Sequence, residues 1–124
     1  MAGFLSVYGA NALLDGTPAP TTFYAKGHVG NPGNTGIFNP AAETRRLPTP
    51  MGASSAGIIL NSTSPSMTLA GATELWLYLT LWDDPTAGNC WWIVPLGAGI
   101  GITYQNTIRL PAGLLSLSFS RWGD

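Results

Sequence analysis

The feature that most constrains this chain is a pair of apolar runs, at residues 75–82 and 90–94, joined by the sequence DDPTAGN. Asp, Pro, Gly and Asn are the residues that tight turns favour, so the runs predict an antiparallel β-hairpin. Successive side chains of a strand point to opposite faces. The first run therefore places four leucines on one face and, on the other, Trp76, Tyr78, Thr80 and Trp82. In a simple two-layer fold one of these faces would meet water.

The rest of the pattern predicts one short helix followed only by strands and turns. Apolar spacing favours a helix at residues 4–14, which Asp15 and Gly16 end, and the prolines at residues 17–20 give an extended link. Pro48 and Pro50 limit their segment to a sheet edge. Seven or eight short strands predict an all-β fold, an antiparallel β-sandwich or jelly roll with a short N-terminal helical segment. With 124 residues we expect one domain, 1–124, in which 1–20 is a helix or arm and linker.

The low charge content favours a protein that packs against other protein. Only 9% of residues are charged, against about 25% in ordinary soluble domains. The net charge is −1 while 45% of residues are hydrophobic, so little repulsion would keep copies apart. Four arginines and one lysine form no basic tract, which argues against nucleic acid as a partner. No apolar run approaches the length of a membrane span, so no membrane partner is expected.

The residues that usually carry catalysis are few and have structural explanations. His28 is the sole histidine and is interpreted as a polar residue on a half-exposed strand. Cys90, the sole cysteine, is interpreted as an inert buried thiol. Asp83 and Asp84 precede Pro85, where carboxylates accept backbone N–H groups of a turn. We therefore predict no enzyme, no catalytic residues, no cofactor and no metal.

Two further motifs also have ordinary structural explanations. Glu43 lies close to Arg45 and Arg46, and an ion pair among them would contribute little if it is exposed in a loop. Asn61 begins a sequence that matches the N-glycosylation signal, and chance explains that match.

The aromatic residues are the candidate interaction residues. Interfaces favour Trp and Tyr and disfavour charge, as this composition does. Three explanations remain open: burial under another layer of the same chain, a protein–protein interface, or a platform for sugar. The interface candidates are Trp76, Tyr78, Trp82, Trp91, Trp92 and Trp122.

Several stretches together resemble a family of small virion proteins. NALLD at residues 11–15 precedes TTFYAKGHVGNPG, LWLYLTLWDDPTAGNCWWIVPL forms the centre, and NTIRLPAGLLSLSFS lies near the end of the chain. These are similar to the turn-and-strand patterns of small virion accessory proteins of tailed phages, especially of actinobacterial hosts. The chain departs from them in having one glycine, Gly88, before Asn89 where two are common.

The resemblance implies a non-enzymatic structural protein located in the virion and made in the cytoplasm of the bacterial host. A compact domain without a repetitive shaft favours a decoration protein bound to the major capsid lattice. The alternatives are a minor tail or tail-fibre subunit and, second, a carbohydrate-binding module that contacts the host surface. The expected partners are copies of the same chain, as a trimer for example, and major capsid or tail proteins.

Overall fold

The computed structural model describes residues 2–53 and 58–118, which form nine strands and one helix. The predicted all-β class with a short N-terminal helix is confirmed. In chain order the elements are β1 (Ala2–Leu5), α1 (Val7–Leu14), β2 (Thr22–His28), β3 (Leu47–Pro50), β4 (Ile58–Leu60), β5 (Ser66–Thr68), β6 (Glu74–Trp82), β7 (Cys90–Ile102), β8 (Thr107–Arg109) and β9 (Ser116–Ser118).

Seven of these strands form one curled sheet in the order β3-β2-β6-β7-β1-β9-β4, and β5 pairs with β8 in a small ribbon. Neighbours in the sheet are antiparallel except β1 and β9. The chain just after β3 reaches the other edge of the sheet. There Met51 bridges Asn61, and the Gly52 N–H donates to the Leu60 carbonyl over 2.8 Å. The described strands thus wrap one sheet around the core, where the sequence suggested two stacked sheets.

The predicted hairpin and edge strand are both present. β6 and β7 pair along most of their length, and Asp83 and Asn89 close the turn between them. β3 is at the edge of the sheet, and its outward residues Pro48 and Pro50 lack the N–H that a further strand would need. The core inside the curl is built mainly from the central strands, with Leu79, Leu81 and Val94 fully buried.

An irregularity in the pairing of β6 with β7 changes which face the side chains of β6 occupy. The pairing register between β6 and β7 shifts between Trp76 and Tyr78. Two steps along β6 there face five steps along β7, from Ile100 to Pro95, so the extra residues lie in β7, and the alternation of faces along β6 changes at this irregularity. Trp76 therefore lies in the core cluster with Leu79, while Leu75 is 49% exposed. The prediction that Trp76 shares a face with Tyr78 and opposes the leucines is wrong for this reason.

A glycine on the neighbouring strand makes room for that indole. A Cβ on Gly27 would lie 2.4 Å from ring atoms of Trp76, so no other residue fits there without displacing the ring. Glycine at this strand position thus allows close packing, as is common where a large group approaches the backbone.

The N-terminal segment begins as a strand and only then becomes a helix. Phe4, in β1, pairs with Ile93 of β7, so the helix predicted from residue 4 begins only at Val7. The Ser6 hydroxyl caps α1 by accepting the Gly9 N–H over 3.0 Å. Sheet pairing outweighs the helical spacing of residues 4–6 because the β7 edge offers ladder hydrogen bonds there. The described residues contain no helix of the length and apolarity that crossing a membrane requires.

In the segment before β3, the buried carboxylate of Glu43 accepts hydrogen bonds from Arg45 and from Ala70. Glu43 is only 4% exposed and accepts N–H groups of Arg45 at 2.8 and 2.9 Å and of Ala70 at 2.6 Å. The hydrogen bonds from Arg45, more than any other cause, lower the pKa of Glu43 from 4.5 to about 2. The predicted ion pair exists, but its carboxylate is buried rather than exposed.

Asn61 has a structural role that explains its position without glycosylation. Its side chain is buried and donates to the carbonyls of Thr63 and Pro111 at 3.0 and 2.8 Å. Its carbonyl oxygen accepts the Leu115 N–H at 2.9 Å. An amide engaged in this way is not accessible to glycosylation in the folded chain.

Candidate functional site

A second apolar cluster lies on the sheet face opposite the core, and we call it the aromatic face. It contains Trp82, Cys90 and Ile93, with Tyr24 and Tyr78 packed against them. Strand register places Thr80 beside Ile93 and Tyr78 beside His28, so these side chains share the same face.

Residues 30–40, which we call the cover loop, lie over the aromatic face. Gly36 makes the closest approach: a Cβ there would lie 2.5 Å from Cys90 Sγ and 3.3 Å from Thr80 Cγ2. Its φ of 77° also favours glycine. The Val7 N–H donates to the Asn34 carbonyl over 2.9 Å, which ties the loop to α1. The aromatic face is therefore covered by the same chain.

His28 joins the cover loop to the sheet. Its Nδ1 lies 2.8 Å from the Phe38 carbonyl and its Nε2 lies 2.8 Å from Thr80 Oγ1. The side chain is 0% exposed, so the prediction of a half-exposed histidine is wrong. The loop folds back over the strand end and excludes water from the ring. Burial is the main cause that lowers the pKa of His28.

The hairpin turn uses its charged groups for structure, as predicted for the two aspartates. Asp83 accepts the Asn89 N–H and the Trp91 indole N–H at 2.8 and 3.1 Å. Asp84 accepts backbone N–H groups of the turn, which lowers its pKa. Arg46 stacks on Trp82, with Cζ 4.2 Å from the ring centroid, and donates to two turn carbonyls. These contacts hold the turn against the edge of the aromatic face.

The predicted interface residues lie mainly inside the protomer. Trp76, Trp91 and Trp92 belong to the core cluster, Trp82 is buried on the aromatic face, and Tyr78 is half-buried. Trp122 lies outside the described residues. Burial within the chain, one of the three explanations left open, accounts for the four described indoles. A role for these aromatics in contacts with a neighbour stays a prediction.

Exposed apolar side chains occur at several places on the surface, and three of them meet where α1 approaches the cover loop. Val7, Tyr8 and Ile37 are 46%, 40% and 59% exposed. Together with Trp82 they line a groove of about 420 Å³, and none of the residues lining it is charged. We call these three residues the apolar rim. In the sequence, the apolar rim is indicated by Ile37, an aliphatic residue inside a stretch rich in Gly, Pro and Asn. This surface was not predicted.

The chemistry of the described residues suits binding. Burial raises the pKa of the Cys90 thiol to about 12, so it is not a ready nucleophile. Both ring nitrogens of His28 are engaged, with Phe38 and Thr80, so the ring does not serve as a base toward Cys90. Across residues 2–53 and 58–118, no three His, Cys, Asp or Glu side chains are grouped to hold a metal ion.

Comparison with known proteins identifies a phage family. A protein-family model described as podophage GP4 fiber I protein gp80 matches residues 5–118. The matched range includes α1, the cover loop and both strands of the central hairpin. A comparison with curated proteins found no match. The predicted resemblance to phage virion proteins is confirmed at this level, and the family description names no host group.

Proposed function

We propose that this chain, which belongs to the podophage GP4 fiber I protein gp80 family, is a non-enzymatic structural subunit of a phage fibre. The observation that carries the proposal is the family match over residues 5–118, which takes in nearly all of the described fold. A phage structural protein is what the family description indicates, and the virion is the corresponding location. The more specific assignment that we propose is a place in the fibre and not on the head.

The apolar rim is the surface through which we propose that the subunit binds its neighbours in the fibre. Burying apolar surface contributes about 25 cal/mol per Å². The groove beside Val7, Tyr8 and Ile37 has no charged lining residue, so docking there would leave no ion unpaired. The rim is also held in place before binding, since α1 and the cover loop are hydrogen-bonded to each other. The partners would be copies of this chain, arranged for example as a trimer, and other tail proteins.

Capsid decoration remains the competing assignment. The sequence favoured it because the chain is short and has no repetitive shaft. The family description instead names a fibre protein, which supports the tail alternative. Both assignments require a structural protein, so the discriminating property is its place on the particle.

Carbohydrate binding is the remaining alternative. A sugar platform needs aromatic rings that are open to solvent. The described tryptophans of the hairpin are buried in the core or under the cover loop. They therefore give this alternative no support, and a sugar site would need other residues.

The experiment locates and counts the chain on purified particles. Gold-labelled antibody and electron microscopy give the location, while quantitative mass spectrometry gives the copy number relative to the major capsid protein. We expect label at the tail and a copy number far below that of the capsid protein. Label over the whole head, with a comparable copy number, would establish decoration instead. Particles that lack the chain would refute a virion role.

A matched pair of variants tests the apolar rim in the same particles. Ile37→Ser removes an exposed aliphatic side chain from the groove. Leu14→Ser removes one that is 85% exposed at the end of α1 and does not line the groove. We expect Ile37→Ser to be lost from particles while Leu14→Ser is retained. Incorporation of both at the wild-type level would show that the rim is not the contact.

A further inference from the structure

The hydrogen bonds around His28 determine which nitrogen carries its proton. A carbonyl can only accept, so Nδ1–H donates to the Phe38 oxygen. The Trp82 indole can only donate, and its Nε1–H lies 2.7 Å from Thr80 Oγ1. The Thr80 hydroxyl therefore accepts from Trp82 and donates its own hydrogen to His28 Nε2. The Thr80 hydrogen has His28 Nε2 as its acceptor only when His28 is neutral.

A second proton on His28 would break this arrangement. Nε2–H would then donate to Thr80 Oγ1, whose second lone pair can accept it beside the Trp82 indole, but the Thr80 hydrogen would lose its acceptor. The ring would carry a charge at a fully buried position. The cost of charging it in the closed state therefore favours any state in which the ring is solvated.

The surrounding groups compensate for that charge only in part. Burial, the largest cause, opposes protonation and lowers the pKa of His28, while backbone hydrogen bonds to Phe38 and Asn39 favour the protonated ring. On its own strand His28 has Lys26, a cation that opposes protonation. On β6, Tyr78 pairs with His28, and Glu74 at the start of the strand accepts the Trp76 indole and the Ala42 N–H. On β7, burial raises the pKa of Cys90 and keeps the thiol neutral. Residues 30–40 contain no titratable side chain, and no carboxylate is among the groups that perturb His28. Burial lowers its pKa below 6.5, in agreement with these contacts.

We infer that the cover loop is a detachable lid over the aromatic face and that neutral His28 is its latch, so that acidification releases the loop. His28 bonds to Phe38 of the loop and to Thr80 of β6, and the bond to Phe38 survives protonation, so release would follow from the cost of charging the buried ring. Backbone hydrogen bonds from Val7 to Asn34 and from Val29 to Asn39 also hold the loop. Release would uncover Cys90 and Thr80, which Gly36 contacts in the closed state. This device is a property of the isolated chain and does not depend on where in the virion the protein lies.

Cys90 reports the opening directly, because it is the only thiol and lies under Gly36. The measurement is its rate of reaction with dithiodipyridine, which modifies thiols in acid as well as at neutral pH. The rate for the urea-unfolded protein at each pH provides the normalisation. We expect the normalised rate to rise as pH falls below 6.5, by up to about tenfold per pH unit until the closed state itself binds the proton. Low concentrations of urea should leave this rate nearly unchanged, since a local opening exposes little surface.

Two variants separate the latch from other acid effects. His28→Gln removes the titration, so its normalised rate should be the same at pH 7 and pH 5, whatever its value. Lys26→Gln changes a neighbouring charge but keeps the latch, so the rise should persist. A wild-type rate that does not change with pH would overturn the inference. So would a rise that survives in His28→Gln or that increases with urea in step with global unfolding.

A spectroscopic measurement on the unmodified chain covers the case in which His28→Gln does not fold. The indole N–H resonance of Trp82 should move with the same midpoint as the Cys90 rate, because its acceptor Thr80 is bonded to His28. The indole of Trp91, held by Asp83, should stay in place between pH 7 and pH 5. If the Trp82 resonance is unaffected over this range, the latch does not exist.

Discussion

Replacing Glu43 with glutamine should lower the free energy of unfolding by about 2 kcal/mol at pH 7, and the loss should disappear in acid. The contacts with Arg45 and Ala70 hold the pKa of Glu43 at about 2 instead of 4.5. Each tenfold change in acidity corresponds to about 1.4 kcal/mol, so the full shift is worth roughly 3 kcal/mol. Because Arg45 is half exposed and its charge is screened, we expect about 2 kcal/mol.

The pH dependence follows from the direction of the shift. A carboxyl whose pKa is lower in the folded state stabilises the fold above the unfolded pKa, here 4.5, and the contribution is lost as the pH falls to about 2. The wild type and Glu43→Gln should therefore differ most at pH 7 and converge towards pH 2.

Urea unfolding, followed by tryptophan fluorescence from pH 7 to pH 2, measures this difference. Asp15→Asn is the control, since it removes an exposed carboxylate at the end of α1. It should remain close to the wild type throughout the range. A difference between the wild type and Glu43→Gln that is the same at pH 7 and pH 2 would refute the charge-based explanation. No difference at pH 7 would refute the energetic role of the buried pair.

Two substitutions test the packing of the core. Gly27→Ala should cost about 2 kcal/mol, because its Cβ would overlap the Trp76 ring, whereas Gly101→Ala has open space and should change the urea midpoint little. Equal midpoints for these two variants would contradict the close packing of Trp76. Trp92→Ala should cost about 3 kcal/mol in the same assay because the indole is buried in the core cluster, and a midpoint like that of the wild type would show that its burial contributes little.

Features encoded by adjacent residues could be predicted from the sequence. The hairpin follows from two apolar runs and a turn, and the aspartates of the turn accept the backbone N–H groups that their position indicated. Pro48 and Pro50 marked an edge strand because a missing N–H is a property of the residue itself. In each case the physical cause lies within a few positions of the chain.

The features that were missed depend on residues far apart in the sequence. His28 is buried because a loop folds back to Phe38 and because Thr80, 52 positions away, lies beside it. Residues 4–5 form a strand because β7 supplies a partner, which no helical periodicity reveals. The apolar rim exists because α1 and the cover loop meet in space. Such contacts leave little trace in local patterns.

The register shift between β6 and β7 concentrates the irregular part of the hairpin in residues 96–99 of β7. Gly97 and Gly99 there have φ of 62° and 93°, a backbone conformation that favours glycine. Between Tyr78 and Leu81 the pairing is regular, so a slip of one residue there would turn the buried leucines away from the core. Related chains should therefore vary in length at residues 96–99 or in the turn at residues 83–89, while the paired stretch between them keeps its length.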